Sequence, residues 1–150
     1  MIVGVVSDTH GLLRPEVIDL FDGVDLILHA GDIGDPGVLK DLKSVAPVIA
    51  VRGNNDTAMW ARRIPETKVV AVGDARIYML HDLKELDRDP SEAGYHAVVA
   101  GHSHRPVIEK RDGVLFLNPG SAGPRRFKLP ISVARLIVRG RQVSAKLIEL

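Results

Sequence analysis

The sequence predicts a layered α/β domain. Short apolar runs of strand length recur along the chain, helical patterns separate the first three of them, and the last third is rich in strands. Residues 2–6 (IVGVV) open the series and read as a strand buried on both faces. A helix follows over 15–21 (PEVIDLF), with Pro15 suited to its first turn. Residues 25–30 are the second strand. The helix over 35–44 starts with Asp35 as its N-cap and Pro36 at the first helical position. Further strands are expected at 47–51, 69–72, 76–80 and 97–100. Beyond residue 95 two hairpins are expected, 106–111 with 114–118 around Asp112-Gly113, and 131–138 with 142–149 around Arg139-Gly140-Arg141. This last third is expected to be antiparallel.

Length and composition narrow the class of protein. With 150 residues and no linker, the chain is read as one domain spanning 1–150. The balance of 20 Lys/Arg against 19 Asp/Glu argues against a strongly basic nucleic-acid coat and an acidic tail. The charge is uneven, at −4 over residues 1–75 and +5 over 76–150, with seven Lys/Arg and one acid in 121–150. That excess reads first as the guard of a sheet edge and second as a basic rim for anionic substrates. The absence of cysteine removes disulfides, thiolate metal sites and a cysteine nucleophile. No signal peptide or membrane span is legible, so a cytoplasmic location is expected.

The polar residues that can hold metal are placed unusually. Asp8 and His10 follow the first strand, Asp32 the second, Asn54 and Asp56 the third, His81 the strand over 76–80, and His102 and His104 the strand over 97–100. Each lies just past the C-terminal end of an expected strand, where open α/β sheets gather ligands. Gly11, Gly31, Gly53 and Gly101 stand beside them and permit sharp turns and close backbone approach. Singly, each fragment is a common turn sequence, and the conjunction is what points to a metal site. Asp8, His10, Asp32, Asn54, His81, His102 and His104 are too many ligands for one transition metal and suit two. A nitrogen and oxygen set without sulfur suits Mn, Fe, Zn, Co or Ni, with Mg also possible. Two such ions clamp the attacking and leaving oxygens of an in-line displacement, so no side-chain nucleophile is needed.

The order of these motifs resembles that of the calcineurin-like metallophosphoesterase superfamily: D-x-H, G-D, G-N, a single H, then G-H-x-H. The corresponding residues are Asp8-Thr9-His10, Gly31-Asp32, Gly53-Asn54, His81 and Gly101-His102-Ser103-His104. The chain is most similar to the small bacterial and archaeal phosphodiesterase branch (YfcE-like), which also carries N-P-G-S, here Asn118–Ser121. The resemblance implies a four-layer α-β-β-α sandwich. It implies that Asp8, His10, Asp32 and His104 bind one ion, while Asp32 (bridging), Asn54, His81 and His102 bind the other. It also implies hydrolysis of phosphodiesters or phosphomonoesters by a metal-bridging hydroxide, with Mn or Ni favoured. Two positions depart from the pattern. Asn55 stands where many members have a histidine that assists the leaving group, and an amide does not titrate near neutral pH. Asp82 stands where glycine usually follows the single histidine. Asn55 and His104 are expected to steady phosphate oxygens.

Other residues carry plainer expectations. Asp56 reads as a cap or as support for its asparagine neighbours, His29 as a satisfied core histidine, and His96 as structural. Arg14, Arg52, Arg125 and Arg126 lie near the site loops, and Asn118 is expected to orient a ligating imidazole. Trp60, beside Met59, is expected to pack a helix or an interface. The expected partner is a small phosphodiester, with a homo-oligomer possible and nucleic acid or membrane not expected. A scaffold like vacuolar sorting protein 29 and a nuclease of the same superfamily are the rival functions.

Overall fold

The first apolar run becomes the central strand of a five-stranded sheet. The protein is described by a computed structural model that covers all 150 residues. Strands β1 (Ile2–Val6), β2 (Leu26–His29) and β3 (Val48–Ala50) run parallel, with helices α1 (Pro15–Leu20) and α2 (Pro36–Lys43) as crossovers. Four further strands form most of the second sheet: β4 (Thr67–Val72), β5 (Ala75–Leu80), β6 (Ala97–Val99) and β7 (Val107–Arg111). Its fifth strand is β8 (Val114–Asn118), and the sheet runs in the order β4-β5-β6-β8-β7. The C-terminal hairpin, β9 (Ser132–Arg139) and β10 (Gln142–Glu149), returns to the first sheet and sets its order as β10-β9-β1-β2-β3.

Alternation of side chains along the strands builds the layers. Val3, Val5 and Leu28 of the first sheet meet Ile77, Met79, Val99, Leu115 and Leu117 of the second in the central core, all at most 5% exposed. Each such side chain contributes roughly 1.5–3 kcal/mol on burial. The opposite face of the first sheet packs Val6 and Ile27 against Val17 and Phe21 of the first helical segment and Val38 and Leu42 of α2. Gly4 leaves room there, since a Cβ would lie 2.9 Å from the Phe21 ring. On the outer face of the second sheet, Tyr78, Leu80, Val98 and Phe116 are covered by residues 82–95, including a 3₁₀ turn at Leu83–Glu85. The fourth layer of the sandwich is therefore thin and irregular. Stacked Tyr78 and Tyr95 rings, 5.0 Å apart, hold it down.

Two details differ from the sequence reading. The last third is not wholly antiparallel, because β8 pairs parallel with β6 while β7 hangs on it as an antiparallel edge. The run at 69–72 is not buried on both faces. It forms β4, an edge strand hairpinned onto β5, with Val70 and Val72 inward and Val69 outward. Asp35 caps α2 as expected, accepting from the Gly37 amide at 2.7 Å.

Candidate metal centre

The parallel strands deliver their C-terminal ends to one end of the sandwich, and the loops that leave them carry the candidate residues. Backbone conformation marks these loops out. Seven residues other than glycine have positive φ, and five of them are Asp8 (55°), His10 (46°), Asp32 (54°), His102 (70°) and His104 (61°). Left-handed backbone is disfavoured for L-residues, though Asp and His tolerate it better than most. Such strain collects where surrounding structure imposes it, commonly at functional sites.

The resulting geometry brings two clusters together. One ligand atom each from Asp8, His10 and His104 lies within 4.8 Å of the others, and the same holds for Asp32, His81 and His102. The clusters adjoin. Asp8 Oδ1 faces His104 Nε2 at 3.4 Å and both His10 Nε2 and His81 Nε2 at 3.8 Å. Asp32 Oδ2 faces His81 Nε2 at 3.3 Å and His10 Nε2 at 3.8 Å.

Hydrogen bonds aim the two carboxylates. Asp8 Oδ2 accepts from Ser7 Oγ (2.6 Å) and from the His102 amide (3.0 Å), leaving Oδ1 to the imidazoles. Asp32 accepts from the Asn55 amide at 3.0 Å and from Asn55 Nδ2 at 3.1 Å. Burial pushes both carboxyls up, but the imidazoles and these donors outweigh it. Asp8 is held below the usual carboxylate range and Asp32 falls to about 2. For His81, burial pushes down, while Asp32, Asp8 and the Ala30 carbonyl, 2.7 Å from Nδ1, carry it up to about 8.

A support layer lies beneath. His29 is fully buried, and burial drives its pKa down to about 4, so it is neutral. The Gly31 amide donates to its Nδ1 (3.0 Å), which places the proton on Nε2 for donation to Thr9 Oγ1 (3.0 Å). Thr9 in turn donates to the Ile33 carbonyl at 2.8 Å, so this chain ties the Asp8 loop to the Asp32 loop. Asp56 ties the Asp32 loop to the Asn54 loop by accepting from the amides of Ile33, Gly34 and Gly53 at 2.9–3.1 Å. It supports the loops and does not cap the turn that follows.

Divalent metal ions fit this arrangement. Asp8 Oδ1, His10 Nε2, His81 Nε2 and His104 Nδ1 are buried without hydrogen-bond partners, which native proteins rarely leave unanswered. Contacts of 3.3–3.8 Å are too long for good hydrogen bonds. They are close to the separation of about 3–3.5 Å between two donors of one ion with bonds near 2.0–2.2 Å.

The remaining expected residues separate into wall and support. Asn54 is exposed and lines a polar cleft of about 340 Å³ with Arg52, Glu66, His81, Asp82 and His102. Arg52 is paired with Glu66 at 3.0 Å. Arg14 donates to the Gly123 carbonyl, and Arg125 and Arg126 are exposed. Asn118 donates to the Gly101 carbonyl and Ser103 Oγ, so it braces the loop between the two histidines without touching an imidazole. His96 accepts from the Arg76 amide, and Trp60 packs half-buried beside the helical layer, with Met59 exposed. Ser7 and Thr9 were missed in the sequence reading. Their signal was the unbroken polar stretch Ser7-Asp8-Thr9-His10 directly after a buried strand.

A double β-sheet sandwich with two carboxylate–imidazole clusters at its strand ends defines a protein of the metallo-dependent phosphatase type. Residues 1–141 match the calcineurin-like phosphoesterase superfamily domain, and the chain belongs to that superfamily. It is 35% identical, over 99% of its length and 92% of the relative's, to a probable metallophosphoesterase of Methanothermobacter thermautotrophicus. A solved structure described as a novel archaeal phosphodiesterase superposes with a TM-score of 0.83 at 25% identity, covering 99% of this chain and 100% of that one. Vps29 from Chaetomium thermophilum superposes with a TM-score of 0.80 at 20% identity, covering 99% and 97%, a likeness of fold. The protein is a phosphoesterase, a hydrolase acting on phosphoric esters. No helix is long and apolar enough to cross a membrane.

Proposed function

We propose that this chain, acting as one domain, is a phosphodiesterase that depends on two divalent metal ions. Asp8, His10, Asp32 and His104 would hold one ion, and Asp32, Asn54, His81 and His102 the other. The observation that carries this reading is the pair of adjoining clusters, with Asp8 Oδ1, His10 Nε2 and His81 Nε2 buried and unpartnered where they meet. When bound, the ions supply Lewis acidity and an activated water for in-line displacement at phosphorus. Manganese is the first ion to try, since the donors are mixed nitrogen and oxygen.

The chain's own residues would do the rest. The low pKa values of Asp8 and Asp32 keep both carboxylates ionised throughout the neutral range. Asn55 positions Asp32 through its backbone and side-chain amides and, being exposed, would serve as a neutral donor for a phosphate oxygen. His104, 3% exposed beside Asp8, would be the second group to steady such an oxygen. Asn55 cannot supply a proton, so diesters with acidic leaving groups are the favoured substrates. Beside His102 lies a groove of about 530 Å³ floored by Val98, Ala100 and Phe116, which suits an apolar ester group of the substrate.

The test is hydrolysis of bis-p-nitrophenyl phosphate beside the p-nitrophenyl monoester, by metal-stripped protein with Mn, Ni, Zn or Mg restored. Metal-dependent cleavage favouring the diester is expected. Asp32→Asn is expected to lose at least about 10²–10³-fold in kcat/KM, the scale of losing one preorganised electrostatic group. Undiminished turnover by that variant would overturn the assignment. Folded protein that binds no divalent ion would return the weight to a scaffold role.

A further inference from the structure

The candidate ligands are not equally well held. His104 is buried, and His81 has the Ala30 carbonyl 2.7 Å from its Nδ1. The His102 side chain is 43% exposed, and no hydrogen bond orients its ring. An exposed imidazole samples several rotamers, and an ion that binds it must order it.

Asp82 lies where it can correct this. It follows His81 directly at the end of β5, at a position where the family pattern has glycine and hence no side chain. Its Oδ1 accepts from the Lys84 amide at 3.1 Å, and that bond anchors the carboxylate. Oδ2 is left facing His102 Nε2 at 3.7 Å, within a small ring rotation of hydrogen-bond distance. Both residues line the same polar cleft.

We propose that Asp82 is a positioning residue for His102. It accepts the Nε2–H of His102, which fixes the tautomer and turns Nδ1 toward Asp32 and His81 as the donor for the second ion. A carboxylate behind a ligating imidazole raises its basicity as well as orienting it. This inference rests on the metal-centre reading above and adds to it a partner that the general pattern of the family lacks.

The test separates this role from simple capping of the Leu83–Glu85 turn. Asn at position 82 can still accept from the Lys84 amide but lacks the charge. Metal-free protein is titrated with Mn²⁺ calorimetrically, and its melting temperature is recorded in chelator. Asp82→Asn is expected to weaken the second Mn²⁺ site by about 10–100-fold, with the chelated melting temperature unchanged. Asp82→Asn combined with His102→Ala is expected to bind no more weakly than His102→Ala alone, because Asp82 acts through His102. Parental Mn²⁺ affinity in Asp82→Asn would overturn the proposal, as would effects that add in the double variant. Mn²⁺-dependent diester hydrolysis by the parent, measured alongside, keeps the two readings apart. If hydrolysis survives while Asp82→Asn binds normally, only the Asp82 proposal fails. A folded parent that binds neither Mn²⁺ nor Ni²⁺, Zn²⁺ or Mg²⁺ overturns both.

Discussion

The two ends of the sandwich solve the same backbone problem in opposite ways. At the end away from the clusters, the turns at Gly23, Gly113 and Gly140 have φ of +83°, +78° and +62°, and a Cβ there would meet nothing within 4 Å. Glycine serves those turns by conformation alone. At the cluster end left-handed backbone is carried by Asp8, His10, Asp32, His102 and His104 as well as by glycines such as Gly11 and Gly31. Of the glycines beside them, Gly53 and Gly101 serve by absence of volume and Gly31 by both volume and conformation. A Cβ at Gly53 would collide with the Asp32 carboxylate, one at Gly101 with Ser7 Oγ and the Asp8 carboxylate, and one at Gly31 would stand 2.7 Å from His81 Nδ1. Left-handed backbone at residues other than glycine is thus concentrated at the cluster end, with five such residues there against Asp112 alone in the turns at the other end.

The sharpest break of that contrast is Gly101→Ala. It requires Ser7 and Asp8 to move, with an expected loss of roughly 1–3 kcal/mol in stability. Mn²⁺ affinity should fall along with it, and calorimetry and urea melts read the two effects separately. Retention of both would mean that the loop gives way easily and the site is not closely packed.

The support layer should leave a pH signature. The folded pKa of His29, about 4, lies below the ordinary 6.5, so the unfolded chain takes up the proton first. The associated stability is complete above pH 6.5 and lost as pH falls from there through 4, up to about 3 kcal/mol. His29→Gln should flatten that part of the melting-temperature profile in chelator, whatever its absolute stability.

The smallest effects form a matched pair. In metal-free protein, His102→Gly should be more stable than His102→Ala by about 1 kcal/mol, because only alanine retains the left-handed strain. Gly113→Ala at the quiet end should cost about the same amount. Equal melting temperatures for the two His102 variants would show that the strain is relieved in solution.

Much of this was legible in the sequence, for a physical reason. Buried parallel strands are continuous apolar runs, and polar residues directly after them mark the strand ends where ligands gather. Asp8, His10, Asp32, His81, His102 and His104 all follow such strands and lie in the two adjoining clusters, with Asn54 on the cleft wall beside them. Long-range pairing was not legible. Nothing local in Val114–Asn118 tells that β8 pairs parallel with β6, or that residues 82–95 form the thin outer layer. The bonds of Asp56 to the Ile33 and Gly34 amides and of Asn55 to Asp32 were hidden likewise, since they join residues 22 or 23 positions apart.

The place of β1 has a consequence for biosynthesis. Its neighbours are β2 on one side and β9, residues 132–139, on the other. At about 5–20 residues per second, β1 waits several seconds during synthesis for β9, which lies roughly 130 residues later. Until β9 arrives, the Asp8 loop hangs from an open sheet edge, a template for unwanted pairing. The sheet that carries the Asp8 and Asp32 loops is therefore complete only once β9 has paired with β1.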